Sequence, residues 1–347
     1  MNRRSLHGRG IWIPTTLSLV VLAVSALAPV STAGAGVTSR VKAGIVDVNV
    51  TLGYENATAA ATGIVLTSTG EVLTNNHVIR GATAIKVRSV GNGKNYTATV
   101  VGYDVADDIA VLQLKGATGL KTVPIGNSSS LRVGAKVVGI GNGGGTGGTP
   151  SSASGKVTAM NQSITAIDEA TGTSEKLTGL IETDAPIGPG YSGGPLVNAS
   201  GNVVGMDTAA SSSFQFQSGV NEGFAIPINA ALSIARRIEA GNFTGNVHRG
   251  ATAFLGVEVR TSGYYQNGSF LSGVVVVGVT PGSPAEKAGL RYGDVITALN
   301  AQSITSPTQL VNKLLAISPG TKVTLDWDDQ FGTAHHTVVQ VASGPPQ

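Results

Sequence analysis

From residue 37 to about residue 223, apolar positions come in short runs, many alternating with polar ones, and Gly, Asn and Ser separate them: GIVDVNV, TGIVLTSTGEVLTNNHV, AIKVRSV, YTATVVGYD, IAVLQLKG, AKVVGIGNG, GKVTAMNQ, GLIETDA and GPLVNASGNVVGMDTA. A period of two turns every second side chain to one face, so these runs predict strands with a buried side. Nine or more of them at this spacing predict an all-β domain closed into a barrel or a pair of barrels. TSTGEV and NASGNV are hairpin turns, each with Gly where a positive φ is wanted.

The period then changes. Asn229 to Ala240 predicts an amphipathic helix, with Asn229 as N-cap, Ala231, Ile234, Ala235 and Ile238 on one face, and Gly241 as its stop. Residues 241–251, polar and rich in Gly and Asn, predict a linker between a domain over 37–240 and a separately cored α+β module over 252–343. In that module FLGVEV, GVVVVGVT, DVITALN and KVTLDWD predict strands, while AEKAGL and Pro307–Ile317 predict helices. Ser306 caps the second helix ahead of Pro307, and Leu310, Val311, Leu314 and Leu315 form its buried stripe. GNGGGTGGT at 141–149 has no Lys-Ser/Thr after it, so it predicts a mobile surface loop rather than a phosphate cradle.

Residues 1–33 stand apart. Arg3, Arg4 and Arg9 precede an apolar stretch from Ile11 to Ala28, and Ser31-Thr32-Ala33 offers small residues for cleavage, which predicts a signal peptide and an exported protein; an uncleaved membrane anchor is the alternative. That segment holds three of the 23 basic residues and none of the 20 acidic ones, so the remainder carries 20 of each. With no net charge, no basic run and 5% aromatic residues, nucleic-acid binding is excluded as a function class. The absence of cysteine removes disulfides, thiol nucleophiles and Cys-ligated metals.

One stretch is hard to explain by folding alone. In IGPGYSGGPLVN, residues 187–198, Ser192 lies among glycines that let the chain turn tightly and aim amide N–H groups into one small space. A serine hydroxyl needs a base, usually histidine, held by a carboxylate. Of the five histidines, His7 is in the leader, His248 in the linker, and His335 and His336 in the second module, which leaves His77 at the end of an apolar strand. Five aspartates lie between His77 and Ser192: Asp104, Asp107, Asp108, Asp168 and Asp184. Asp108 abuts the buried run IAVLQL and is the first candidate, Asp107 faces the other way, and Asp184 is the rival.

TNNHV, DIAVLQL and GYSGGPLVN, in that order, resemble the chymotrypsin-like serine proteases, and in detail the exported HtrA group of bacteria. GLIETDAPIGPG and EGFAIPIN resemble the same group's approach to its nucleophile and the close of its protease domain. FLGV and TPGSPAEKAGLRYGDVITALN resemble a bacterial PDZ domain. The resemblance covers residues 37–343 and implies a mainly β fold, a chymotrypsin-like double β-barrel followed by a small α+β PDZ domain. It implies a serine endopeptidase with catalytic His77, Asp108 and Ser192, and an oxyanion hole from the N–H groups of Gly190 and Ser192. It also places Pro186, Thr208, Ala209 and Ala210 at the substrate pocket, where no charged residue is evident, so cleavage after small or medium aliphatic residues is expected. Phe254, Leu255, Gly256 and Val257 become the loop that captures a peptide C-terminus. The expected partners are unfolded or misfolded envelope proteins; no cofactor and no metal are expected, and a homotrimer is left open. The rival is a protease-like chaperone or peptide-binding protein with an inactive or latent site. One residue departs from the pattern: where HtrA proteases usually carry Asn before the serine, this chain has Tyr191, whose bulk is expected to press on the Pro189–Gly190 peptide.

Overall fold

The computed structural model of the chain describes residues 39, 41–54, 56–168, 173–208, 214–216, 223–266 and 269–347. The signal-peptide reading of 1–33 falls outside them. Among the described residues no helix is long and apolar enough to cross a membrane.

The alternating runs form strands: β1 (Ile45–Leu52), β2 (Ala57–Val65), β3 (Glu71–Thr74), β4 (Ala84–Ser89), β5 (Asn95–Asp104) and β6 (Ile109–Leu114), with a single turn of helix, α1 (Asn76–Ile79), after β3. Then come β7 (Lys136–Gly141), β8 (Ser151–Asp168), β9 (Thr173–Thr183), β10 (Pro195–Asn198), β11 (Val203–Thr208), β12 (Phe214–Phe216) and β13 (Gly223–Pro227). In the first sheet β5, β4, β1, β2, β3 and β6 are neighbours in that order, and β5 also pairs with β6; in the second, β8, β7, β10, β11, β13 and β9 follow one another and β8 pairs with β9. Both sheets therefore close on themselves, which leaves two barrels with almost no free edge. β4 alternates exposed and buried positions along its whole length, as its sequence predicts.

The helix after the barrels, α2 (Ile228–Glu239), buries Ala231, Ile234, Ala235 and Ile238 against Ile109, Val111 and Val247. Its cap differs from the sequence expectation. Pro227 holds the N-cap position with no side-chain bond, because the Asn229 side chain is used to tie the helix to residues 127–129. Part of the segment read as a linker adds β14 (Val247–Arg249) to the first barrel beside β5.

The second module contains β15 (Thr252–Phe254), β16 (Val257–Gln266), β17 (Ser269–Val279), α3 (Pro284–Ala288), β18 (Val295–Leu299), β19 (Gln302–Ser303), α4 (Pro307–Leu315), β20 (Lys322–Asp328), β21 (Ala334–Gln340) and β22 (Ala342–Gly344). Its own core gathers Val274, Ile296, Leu299, Leu310, Leu314, Leu325 and Trp327. Ser283 and Ser306 cap α3 and α4 through their hydroxyls, each followed by proline. Leu315, the last of the predicted stripe, packs instead against the first barrel's core, and Phe254 stacks on Tyr54 at 4.9 Å between ring centres. The two cores thus touch through named side chains.

Candidate active site

A cluster of buried residues runs from the first barrel (Ile45, Ile64, Leu73) into the second (Ile140, Val197, Met206, Phe224), and the candidate residues converge at this seam. His77 is the second residue of α1, where β3 ends. Its backbone N–H donates to Asp108 Oδ1 at 2.9 Å, its Nδ1 lies 2.9 Å from Asp108 Oδ2, and its Nε2 lies 3.0 Å from Ser192 Oγ. Since a carboxylate only accepts, Nδ1 carries the proton and Nε2 is left to accept from the serine hydroxyl.

Asp108 stands just ahead of β6 with a positive φ of 53°, a conformation uncommon outside glycine that turns its side chain toward α1. It is fully buried, and Thr208 Oγ1 donates to Oδ2 at 3.1 Å in addition to the two His77 donors. Asn75 Nδ2 donates to its carbonyl at 3.1 Å. Three donors hold the carboxylate and the fourth holds the backbone carbonyl, so the protein surrounds the carboxylate in place of water. The rival Asp184 is exposed and accepts from Lys156 N–H at 2.6 Å, away from His77.

Ser192 comes from a turn built almost entirely of backbone contacts. Gly193 (φ 79°) donates to Asp207 O, Asp207 N–H donates to Gly194 O, and Thr62 N–H donates to Ser192 O. A Cβ on Gly193 would stand 2.2 Å from Thr62 O, so no other residue fits there. Gly190 (φ 90°) is equally tight, 2.0 Å from Asn142 O. Pro189 O accepts from Gly144 N–H at 3.0 Å, and in a trans peptide the N–H of Gly190 then points to the opposite side.

Of the residues expected at the substrate pocket, Pro186 is exposed on the segment leading to the serine turn, and Thr208 is fully buried with its hydroxyl on Asp108. Ala209 and Ala210 lie outside the described residues. In the second module Phe254 to Val257 form one loop: Gly256 (φ 84°) leaves no room for a Cβ beside Ser283, Leu255 O accepts from Ala285 N–H, and Gly256 O accepts from Thr280 N–H.

Several residues at the site escaped the sequence reading. Thr62 is an unremarkable member of ATAAATGIV, yet it bonds to the serine turn through both backbone and side chain. Asp207 is fully buried beside that turn; burial pushes its carboxyl well above the ordinary range, offset only in part by the Ile140 N–H, and neither oxygen has a well-formed hydrogen bond. Glu175 of β9 pairs with Arg80, which follows α1, and burial also raises the Glu175 carboxyl against the pull of that guanidinium. The glycine segment 141–149, expected to be a mobile surface loop, instead packs its first half against the serine turn, with Asn142 4% exposed.

The family description "Trypsin-like peptidase domain" matches residues 61–206, and "PDZ domain" matches residues 253–327. The chain is 39% identical over 267 residues to a probable periplasmic serine protease, do/HhoA-like, of Haemophilus influenzae, covering 76% of this chain and 54% of that protein. It is 36% identical over 268 residues to the periplasmic pH-dependent serine endoprotease DegQ of Escherichia coli, again 76% of this chain and 54% of the relative. The chain therefore spans about half the length of these relatives. A solved structure of the HtrA-type protease AlgW with a tripeptide shares 29% identity and superposes with a TM-score of 0.50 over 90% of this chain and 98% of that one. With a trypsin-like domain followed by a PDZ domain, the chain belongs to the HtrA-type serine proteases.

Proposed function

We propose that this protein is an exported serine endopeptidase that hydrolyses peptide bonds through Ser192, His77 and Asp108. One observation carries the reading: the continuous relay from Ser192 Oγ to His77 Nε2 and from His77 Nδ1 to Asp108, 3.0 and 2.9 Å long, at the seam of two barrels. Ser192 Oγ attacks the scissile carbonyl while His77 Nε2 takes its proton, and Asp108 holds the ring and stabilises the imidazolium. The N–H groups of Gly190 and Ser192 receive the oxyanion; one such donor is worth about 3–4 kcal/mol of transition-state stabilisation. His77 returns the proton to the leaving amine, and water, activated by the same base, releases the acyl group. Proton and acyl transfers of this kind need no cofactor.

Relatives named periplasmic support a place of action outside the cytoplasm. Unfolded or misfolded envelope proteins are the substrates we propose for it. No charged residue is read at the pocket for the residue before the cleaved bond, to which the family resemblance assigns Pro186, so cleavage after small or medium aliphatic side chains is expected; a peptide-library profile dominated by Lys or Arg would reject this. The loop Phe254–Val257 captures a peptide C-terminus by strand addition. Calorimetry on the full chain carrying Ser192→Ala, with free and amidated forms of an apolar-ended peptide, tests it, and equal affinity for both argues against carboxylate capture.

The central experiment is covalent labelling. A fluorophosphonate should label the folded protein, and Ser192→Ala should abolish the label. A folded wild type that never labels favours the rival reading, a protease-like binding protein.

A further inference from the structure

The glycine segment and Tyr191, one read as a surface loop and the other as a misfit, meet each other at the serine turn. Gly143 and Gly141 lack the side chains that would fill the Tyr191 site: a Cβ on Gly143 would stand 3.0 Å from Tyr191 Cε2, and one on Gly141 would stand 2.7 Å from Tyr191 Cα and 3.2 Å from its Cδ1. The tyrosine is 8% exposed, and its hydroxyl bonds to Ser151. Its bulk is therefore accommodated by glycine and does not press on the turn.

Beside this contact the two carbonyls that flank the Gly190 N–H are both tied. Pro189 O accepts from Gly144 N–H at 3.0 Å, and Gly190 O accepts from Thr62 Oγ1 at 2.7 Å. The direction of the second bond is fixed by a third, because Asn142 N–H donates to the same Thr62 oxygen at 2.8 Å. A hydroxyl that receives a proton from an amide has its own single proton free for the carbonyl. Thr62 is fully buried, so water does not compete. Rotating the Pro189–Gly190 peptide would break the Gly144 bond and turn the Gly190 N–H away from a substrate carbonyl.

We propose that Thr62 and the glycine segment 141–144 form a clamp that holds the Pro189–Gly190 peptide with its N–H aimed at the oxyanion, and that Tyr191 is the key that seats the segment on the turn. Thr62 is thus a positioning residue for the serine-protease reading on which this inference rests. Its loss should act on kcat, since the oxyanion forms only after substrate has bound.

The test compares wild type, Thr62→Val and Thr62→Ser on a valine p-nitroanilide peptide, with rates expressed per site titrated by fluorophosphonate, and with amide hydrogen exchange read over residues 141–147. Thr62→Val keeps the shape and removes both bonds; kcat should fall about 100-fold, the scale of a lost oxyanion donor, with KM near the wild-type value. Exchange at Asn142 and Gly144 should quicken, and Thr62→Ser should restore both readouts. If Thr62→Val does not fold, Gly143→Ala serves, since its methyl would push on Tyr191 and Ser151 from a partly exposed position; it should lower kcat by a smaller factor. Unchanged kcat per titrated site, a loss carried by KM, or a serine variant that fails to recover would overturn the clamp while leaving the protease intact. A folded wild type that neither labels nor cleaves would overturn both.

Discussion

The two halves of the candidate site are held by different means. On the first barrel, His77 and Asp108 are fixed by side-chain bonds: three donors converge on the Asp108 carboxylate, from His77 twice and Thr208 once. On the second barrel, Ser192 is fixed by backbone groups, with Gly193, Gly194 and Asp207 exchanging amide bonds around it and Thr62 pinning its carbonyl. The first half stores its geometry in residue types, so exchanging one type removes one function. The second stores it in φ angles and in the absence of side chains, so it fails through shape. Substitutions of the same nominal size should therefore have different signatures on the two sides.

The largest effect tests the relay itself. His77→Ala should lower kcat about a million-fold, as loss of a triad base does elsewhere, with fluorophosphonate labelling lost in parallel. Asp108→Asn should cost about ten-thousand-fold, because an amide in that place offers His77 Nδ1 a donor as well as an acceptor and favours the wrong tautomer. That loss should shrink at high pH, where hydroxide replaces the base; a loss independent of pH would mean that Asp108 acts through folding instead. Next in size comes Thr62→Val on the other half, about 100-fold and confined to kcat. An effect as large as that of Asp108→Asn would erase the distinction between the halves.

That distinction also explains what could be read from the sequence. His77, Asp108 and Ser192 were legible because each chemistry is confined to one residue type, and the strands around them because alternation survives in runs such as AIKVRS. The role of 141–149 was not legible: nine residues without side-chain periodicity look alike whether they face solvent or a neighbouring backbone. Asn229 misled for a related reason. An Asn at the start of a helical pattern predicts a cap, yet its side chain found better partners in residues 127–129, which are a hundred positions away in the chain. Thr62 had no local signature at all, since its partners, Asn142 and Gly190, meet it only when the two barrels close.

The smallest expected effect contrasts two buried aspartates. Asp108 is surrounded by donors, whereas Asp207, one residue before Thr208, has a fully buried carboxyl without a well-formed bond, and burial pushes it well above the ordinary range. A group whose folded pKa is raised contributes its stability below the unfolded value, near 4, and loses it as pH climbs toward the folded value. Asp207 therefore makes the folded state progressively less stable as pH rises from about 4, and Asp47, likewise buried and raised, adds in the same direction. Asp207→Asn keeps the shape without the charge. It should raise Tm by a few degrees at pH 8 and by less at pH 5, a difference read by thermal melts at the two pH values. Because Asp207 touches the serine turn through its backbone, which the substitution preserves, kcat at pH 5 should change little. A larger Tm gain at pH 5 than at pH 8 would mean that the Asp207 carboxyl ionises in the fold and has a partner there.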